Sequence, residues 1–241
     1  MKQVKPTKNL LKKFKSQPET FIFEGYCTNA DSVIIYNDGD GYALIADVKG
    51  AIKCCFKTDN TDFILEVLET LHGQQVEFSG VDPSVTDFLR TRYEYLWETN
   101  TYLYAWNGKP LSYECKQQIR PMSKEFAQKI SDGTHYHAPI ADVLDFLSRH
   151  PSAAIYDDNG KPICWCLLHL EKSLGMLYTE PEYRRMGYAL EVMTALCNMV
   201  IAKGDVPYAY IVTDNVASQN LAAKYNLERV KRADYFMVNV D

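Results

Sequence analysis

One stretch constrains this chain more than any other: Leu177-Tyr178-Thr179-Glu180-Pro181-Glu182-Tyr183-Arg184-Arg185-Met186-Gly187-Tyr188-Ala189, which runs into an apolar-periodic segment ending near Ala202. Leu190, Met193, Leu196, Cys197, Val200 and Ile201 recur at three- and four-residue spacing, so one face of a helix turns inward, and Gly204 ends it. The pattern is strand, turn, helix. Arg184-x-x-Gly187-x-Ala189 falls where the helix begins. Small residues there admit a close ligand, and first-turn N–H groups lack intrahelical acceptors, so the spacing predicts an anion-binding turn. It has neither the three glycines of a dinucleotide fingerprint nor the Gly-Lys-Ser/Thr of a P-loop. An ordinary polar turn ahead of a buried helix would share the outline, so the rest of the chain must decide.

Composition narrows the choice. Of 241 residues, 46% are hydrophobic and 24% charged, as in a folded globular protein, and a net charge of −5 argues against a nucleic-acid partner. No apolar run approaches the roughly 20 residues that cross a bilayer, so no membrane partner and a cytoplasmic location are expected. The seven cysteines form no Cys-x-x-Cys pair and lie mostly in apolar runs, which predicts buried, reduced thiols. Residues 1–16 carry six lysines and no acid, with Leu10, Leu11 and Phe14 on one side of an expected capping helix.

The two halves share a pattern. Val33-Ile34-Ile35-Tyr36-Asn37-Asp38-Gly39 is echoed by Ala153-Ala154-Ile155-Tyr156-Asp157-Asp158-Asn159-Gly160. In each half, hairpin strands lead to a helix, a strand, a second helix and a further strand. Strands are predicted over 20–26, 33–36, 42–48, 52–56, 76–78 and 102–106, with helices from Phe63 to about Leu71 and from Ser84 to about Leu96. The second half is expected to place strands over 163–170, 176–179, 208–213, 227–230 and 235–240, with a helix over 217–225. Helices are also expected after Ser123 and Pro139. The expected fold is therefore α/β, an α+β mixed sheet in tandem units, 1–110 and 111–241, joined within 107–120. Where the second unit has its glycine turn, the first offers Lys57-Thr58-Asp59-Asn60-Thr61-Asp62, whose carboxylates would repel an anion.

Leu-Tyr-Thr-x-Pro-Glu-Tyr-Arg-x-x-Gly-x-Ala resembles the coenzyme A pyrophosphate loop of the GNAT superfamily of N-acyltransferases, and Pro181-Glu182-Tyr183-Arg184 resembles its glycine N-acyltransferase-like branch. Thr213-Asp214-Asn215-Val216-Ala217-Ser218-Gln219-Asn220-Leu221 resembles the family segment that follows the fifth strand, and Gln117 to Met122 is similar to its opening strand. The units are then both GNAT-like, the first degenerate. The resemblance implies acetyl-CoA or another acyl-CoA as cosubstrate, one per chain. It would be held by Leu177, Tyr178, Thr179, Arg184, Arg185, Met186, Gly187, Tyr188 and Ala189, with Asn215 and Ser218 along the pantetheine arm. It further implies that His135, Tyr136 and His137 border the acceptor; this His-x-His lacks a third ligand at useful spacing, so no metal is expected.

The chain also departs from the family. Ala222 stands where many members have a proton-donating tyrosine, and Tyr225 is the nearest substitute, in a position that favours packing. The glycine-type branch has an acidic base near the start of the fourth strand; the matching position is about Ser173, with Glu171 as neighbour. Glu171, Ser173 and Tyr225 are the catalytic candidates. The expected function is transfer of an acetyl or other short acyl group to the amine of a small molecule or amino acid, by direct attack in a ternary complex. The alternative is a non-catalytic acyl-CoA-binding or sensing protein. The sequence leaves the oligomeric state open.

Overall fold

A computed structural model describes residues 1–111, 113–133 and 138–241. His135, Tyr136 and His137, the expected acceptor-side residues, lie outside the described residues. Packing divides the chain into two units, Met1–Leu103 with Tyr210–Asn215 and Arg229–Asp241, and Tyr104–Ala209 with Val216–Glu228. The sequence-based division into 1–110 and 111–241 is contiguous, whereas these units interleave. The cause is local: Asp234 to Val240 pair antiparallel with Val81 to Gln74, which binds the C-terminal residues to the first unit.

The first unit contains β1 (Lys2–Val4), α1 (Lys8–Lys15), α2 (Phe21–Asn29), β2 (Ser32–Asn37), β3 (Tyr42–Val48) and β4 (Ala51–Lys57). It continues through α3 (Thr61–Glu69), β5 (Gln74–Val81) and α4 (Pro83–Arg90) into β6 (Trp97–Trp106). Its sheet runs β1-β2-β3-β4-β5-β11-β6-β10, where β10 is Tyr208–Val212 and β11 is Leu227–Val240. β4 and β5 are parallel neighbours, with Ile52 opposite Val76 and Cys54 opposite Phe78. Phe56, Phe63, Ile64, Val67, Phe78, Leu89 and Phe236 form the core beneath them. Phe78 and Phe236 stack with ring centroids 4.8 Å apart.

The second unit contains α5 (Ala127–Gly133), α6 (Ile140–Arg149) and an antiparallel sheet of β7 (Ala153–Tyr156), β8 (Pro162–Leu168) and β9 (Leu174–Thr179). A 3-10 turn over Pro181–Tyr183 leads to α7 (Tyr188–Ala202), and α8 covers Val216–Lys224. Met122, Ala127, Ile130, Val143, Ala154, Trp165, Leu167 and Met176 make its core. Gly204 has φ +75° and ends α7, while Asn226 takes φ +59° after α8, the left-handed step that a short polar side chain tolerates.

Several elements differ from the sequence-based expectation. Residues 20–26, expected as a strand, are helical: Thr20 ends a 3-10 turn and 21–26 lie in α2, where Phe21, Ile22, Phe23, Gly25 and Tyr26 are all buried, so the run is apolar on every side and carries no readable period. Lys2–Val4 is a strand, paired with β2 at Asn37 to Ile35. The two expected C-terminal strands are one, β11, with a bulge between Asp234 and Phe236. α4 ends at Arg90, and Ile119-Arg120-Pro121 forms a single bridge, Arg120 with Ala154, in place of an opening strand. All seven cysteines are free thiols. Among the described residues no helix is long and apolar enough to cross a membrane.

Candidate active site

β9 lies at the end of the β7-β8-β9 sheet, so one edge of it has no strand partner among the described residues; β4, its counterpart in the first unit, is paired on both sides. The pairing of β8 with β9 shifts register between Trp165 and Leu167, and Met176 takes φ +53°, a bulge that bends β9. An unpaired strand edge offers main-chain N–H and C=O groups to an extended ligand. Leu177, Tyr178 and Thr179 are the last three residues of this strand.

The chain then turns into α7. Arg184 Nε donates to the Thr179 carbonyl at 3.0 Å, and its guanidinium centre lies 5.8 Å from the Tyr178 ring centroid. Arg185 has φ +64°, and Gly187, the N-cap of α7, has φ +89° with no side-chain cap bond. Tyr188 and Ala189 form the first turn of the helix, whose N–H groups therefore point out uncapped. Arg184, Arg185, Met186 and Gly187 are exposed. In the first unit the equivalent end is closed, since the Asn60 side chain accepts from Phe63 N–H at 3.2 Å and caps α3. Uncapped donors, a glycine at positive φ and two arginines suit a pyrophosphate.

Glu191 anchors this turn and was not singled out from sequence. It is buried on the first turn of α7, and its Oε2 accepts from the N–H groups of Lys116 at 3.0 Å and Gln117 at 2.7 Å. A carboxylate at a helix N-terminus also complements the macrodipole.

The catalytic candidates fall in two places. Ser173 Oγ donates to Glu171 Oε1 and lies 3.0 Å from His169 Nδ1, at the tip of the β8–β9 hairpin. The Tyr208 hydroxyl donates to the Glu171 backbone carbonyl. Ser173 Oγ thus links the His169 ring to the Glu171 carboxylate. The histidine was missed in sequence; its four-residue spacing from Ser173 gains meaning only when the hairpin closes. Tyr225, in contrast, is 1% exposed, and its hydroxyl donates to the Ala189 carbonyl at 3.4 Å. Burial, reinforced by Cys166, Cys197 and Cys164, pushes its hydroxyl well above the usual tyrosine range. Asn215 immediately precedes α8, with its N–H bonded to the Val212 carbonyl at 3.0 Å, and Ser218 lies within that helix.

Beside Tyr178 lies a cleft of about 410 Å³ between α5 and β9, lined by Glu125, Phe126, Lys129, Asp132, Trp165, Glu180 and neighbours. Trp165 and Tyr178 stack with centroids 4.9 Å apart, and Lys129 pairs with Glu180.

The chain has the fold of the GCN5-related (GNAT) N-acetyltransferases. Residues 154–236 match the family model described as FR47-like protein. The fold is similar to that of a Drosophila protein of known structure, with TM-score 0.76 and 14% identity over 100% of this chain and 99% of that one. A putative GNAT-family acetyltransferase from Novosphingobium aromaticivorans gives TM-score 0.58 and 12% identity, over 84% of this chain and 89% of that one. A tandem GNAT protein from the clavulanic acid biosynthesis pathway gives 0.57 and 12%, over 92% and 88%.

Proposed function

We propose that the chain is an acyl-CoA-dependent N-acyltransferase, moving an acetyl or other short acyl group to the amine of a small molecule or amino acid by direct attack in a ternary complex. The observation that carries this reading is the contrast between the units: among the described residues one edge of β9 has no strand partner and α7 has no side-chain cap, while the corresponding edge of β4 is paired and α3 is capped. Acyl-CoA supplies an acyl group already activated as a thioester. The main-chain N–H groups at Gly187 to Ala189, with Arg184 and Arg185, hold its pyrophosphate. Leu177, Tyr178 and Thr179 offer their backbone to the pantetheine amides, and Asn215 and Ser218 are the further residues assigned to that arm. A main-chain N–H at the Met176 bulge polarises the acyl carbonyl.

His169 takes the proton from the amine as its nitrogen bonds to the acyl carbon, and collapse of the tetrahedral adduct breaks the carbon–sulfur bond, with coenzyme A leaving as the thiolate. Glu171, through Ser173, orients the imidazole. Positioning of both reactants supplies a larger share of the rate than this one base, roughly 7–11 kcal/mol in favourable cases. No tyrosine acid is needed in such a scheme, which accommodates Ala222.

The test is thiol release from acetyl-CoA over a panel of amino acids, amino amides and polyamines. Turnover above the buffer rate with at least one amine is expected, and His169→Gln should lower it by about 10²-fold. Release at the buffer rate with every amine would instead leave an acyl-CoA sensor.

A further inference from the structure

The described residues of 110–117 form neither helix nor strand, yet the segment is fastened at both ends. At one end Asn226 Nδ2 donates to the Pro110 carbonyl at 2.9 Å. At the other, the buried Glu191 carboxylate accepts from the Lys116 and Gln117 N–H groups, and Cys115 Sγ donates to the Glu191 carbonyl at 3.5 Å. Glu191 lies in the first turn of α7, so the segment is tied to the helix whose N-cap is Gly187. A buried carboxylate is costly unless it is hydrogen-bonded, and here its bonds go to the main chain of this segment.

Tyr113 stands between the two anchors. Its hydroxyl oxygen would lie 3.6 Å from a Cβ built on Gly187, and no other described atom outside the adjoining residues would come within 4 Å. That side of the glycine is therefore open, with one phenol oxygen at its border. Tyr113 is half-buried, and its hydroxyl has no hydrogen-bond partner among the described residues. A tyrosine hydroxyl withdrawn from water normally finds one. Beside it the first-turn N–H groups of α7 also want acceptors, because Gly187 supplies no side-chain cap. Donors of two kinds, from two segments, thus border one open space.

We infer that Tyr113 is a further phosphate-binding residue, whose O–H donates to an oxygen of the acyl-CoA pyrophosphate held at the α7 turn; this role rests on the acyl-CoA reading above. Two hydrogen bonds of about 2.8 Å, made through different oxygens of one phosphate, bridge from a main-chain N–H of Gly187 to Ala189 across to the hydroxyl. A hydrogen bond to an anion is about twice as strong as one between neutral groups, so the hydroxyl adds to ligand affinity. It adds nothing to folding, since it has no partner to lose. The anchors at Pro110 and Glu191 hold the segment before the ligand arrives, which lowers the ordering cost of binding.

The test compares the wild type with Tyr113→Phe, which removes the hydroxyl and keeps the ring, by calorimetric titration with acetyl-CoA and with 3′-dephospho-acetyl-CoA. Tyr113→Phe should bind acetyl-CoA about tenfold more weakly while keeping the wild-type melting temperature. The same loss is expected with the dephospho ligand, which retains the pyrophosphate. Equal acetyl-CoA affinity of the two proteins would overturn the assignment. So would a loss confined to acetyl-CoA, which would place the hydroxyl at the ribose 3′-phosphate, or a lowered melting temperature, which would make the hydroxyl a folding contact. A wild type that binds no acetyl-CoA would remove the acyl-CoA reading itself and Tyr113 with it, whereas wild-type binding unaffected by the substitution removes Tyr113 alone.

Discussion

The imidazole of His169 lies directly over the Cα of Gly175: a Cβ added at Gly175 would come 2.0 Å from His169 Cε1. Gly175 stands one residue before the bulge at Met176, so the absence of a side chain there seats the imidazole beside the bent part of β9. Gly175→Ala should therefore displace the ring and cost about 1–3 kcal/mol of stability. In a His169→Ala background the same substitution should cost only about 0.5 kcal/mol, since the obstacle is gone. Urea unfolding of the four proteins measures the coupling, and additive effects would show that the two residues do not meet.

Tyr225→Phe should leave acetyl-CoA affinity and turnover unchanged. Its hydroxyl is buried, held protonated by that burial, and spent on the Ala189 carbonyl. The expected loss is of stability alone, about 1 kcal/mol for one hydrogen bond. A large fall in turnover with intact folding would restore this tyrosine as a proton donor.

The buried thiols give the fold an alkaline limit. Burial pushes Cys27, Cys164 and Cys197 from 9.0 up to about 12. Unfolded, these groups lose protons near 9.0, so the unfolded state binds fewer protons than the folded one above that pH. The stabilisation is full below 9.0 and is lost as pH rises toward about 12. Melting temperature should fall across that interval, and the slope should flatten in a Cys164→Ala, Cys197→Ala variant. An unchanged slope would assign the alkaline sensitivity to other groups.

Much of this was readable in the chain. The periodicity after Ala189 gave α7 over its observed length, and runs rich in β-branched and aromatic residues gave β3 and β4, which bury Ala43 to Ala46 and Cys54 to Phe56 consecutively. α2 was not readable, since a helix that is apolar all round has the composition of a strand. β1 hid in a lysine-rich segment, as edge strands do. The glycine turn was legible because a local backbone requirement leaves a local mark. His169 and the α5–β9 cleft were not, because their chemistry arises from residues that the hairpin and the helix packing bring together. Glu191 belongs with them: a buried acid reads from sequence as a solvated one until its backbone donors are in place.

The central claim is that the uncapped turn at Gly187 holds coenzyme A, and calorimetric titration of acetyl-CoA into the wild type and into Gly187→Glu tests it most directly. The wild type should saturate at one molecule per chain. Gly187→Glu, which adds bulk and negative charge where φ is +89°, should bind about a hundredfold more weakly while keeping its far-UV spectrum. Equal binding by the two proteins, or no binding by the wild type, would contradict the account.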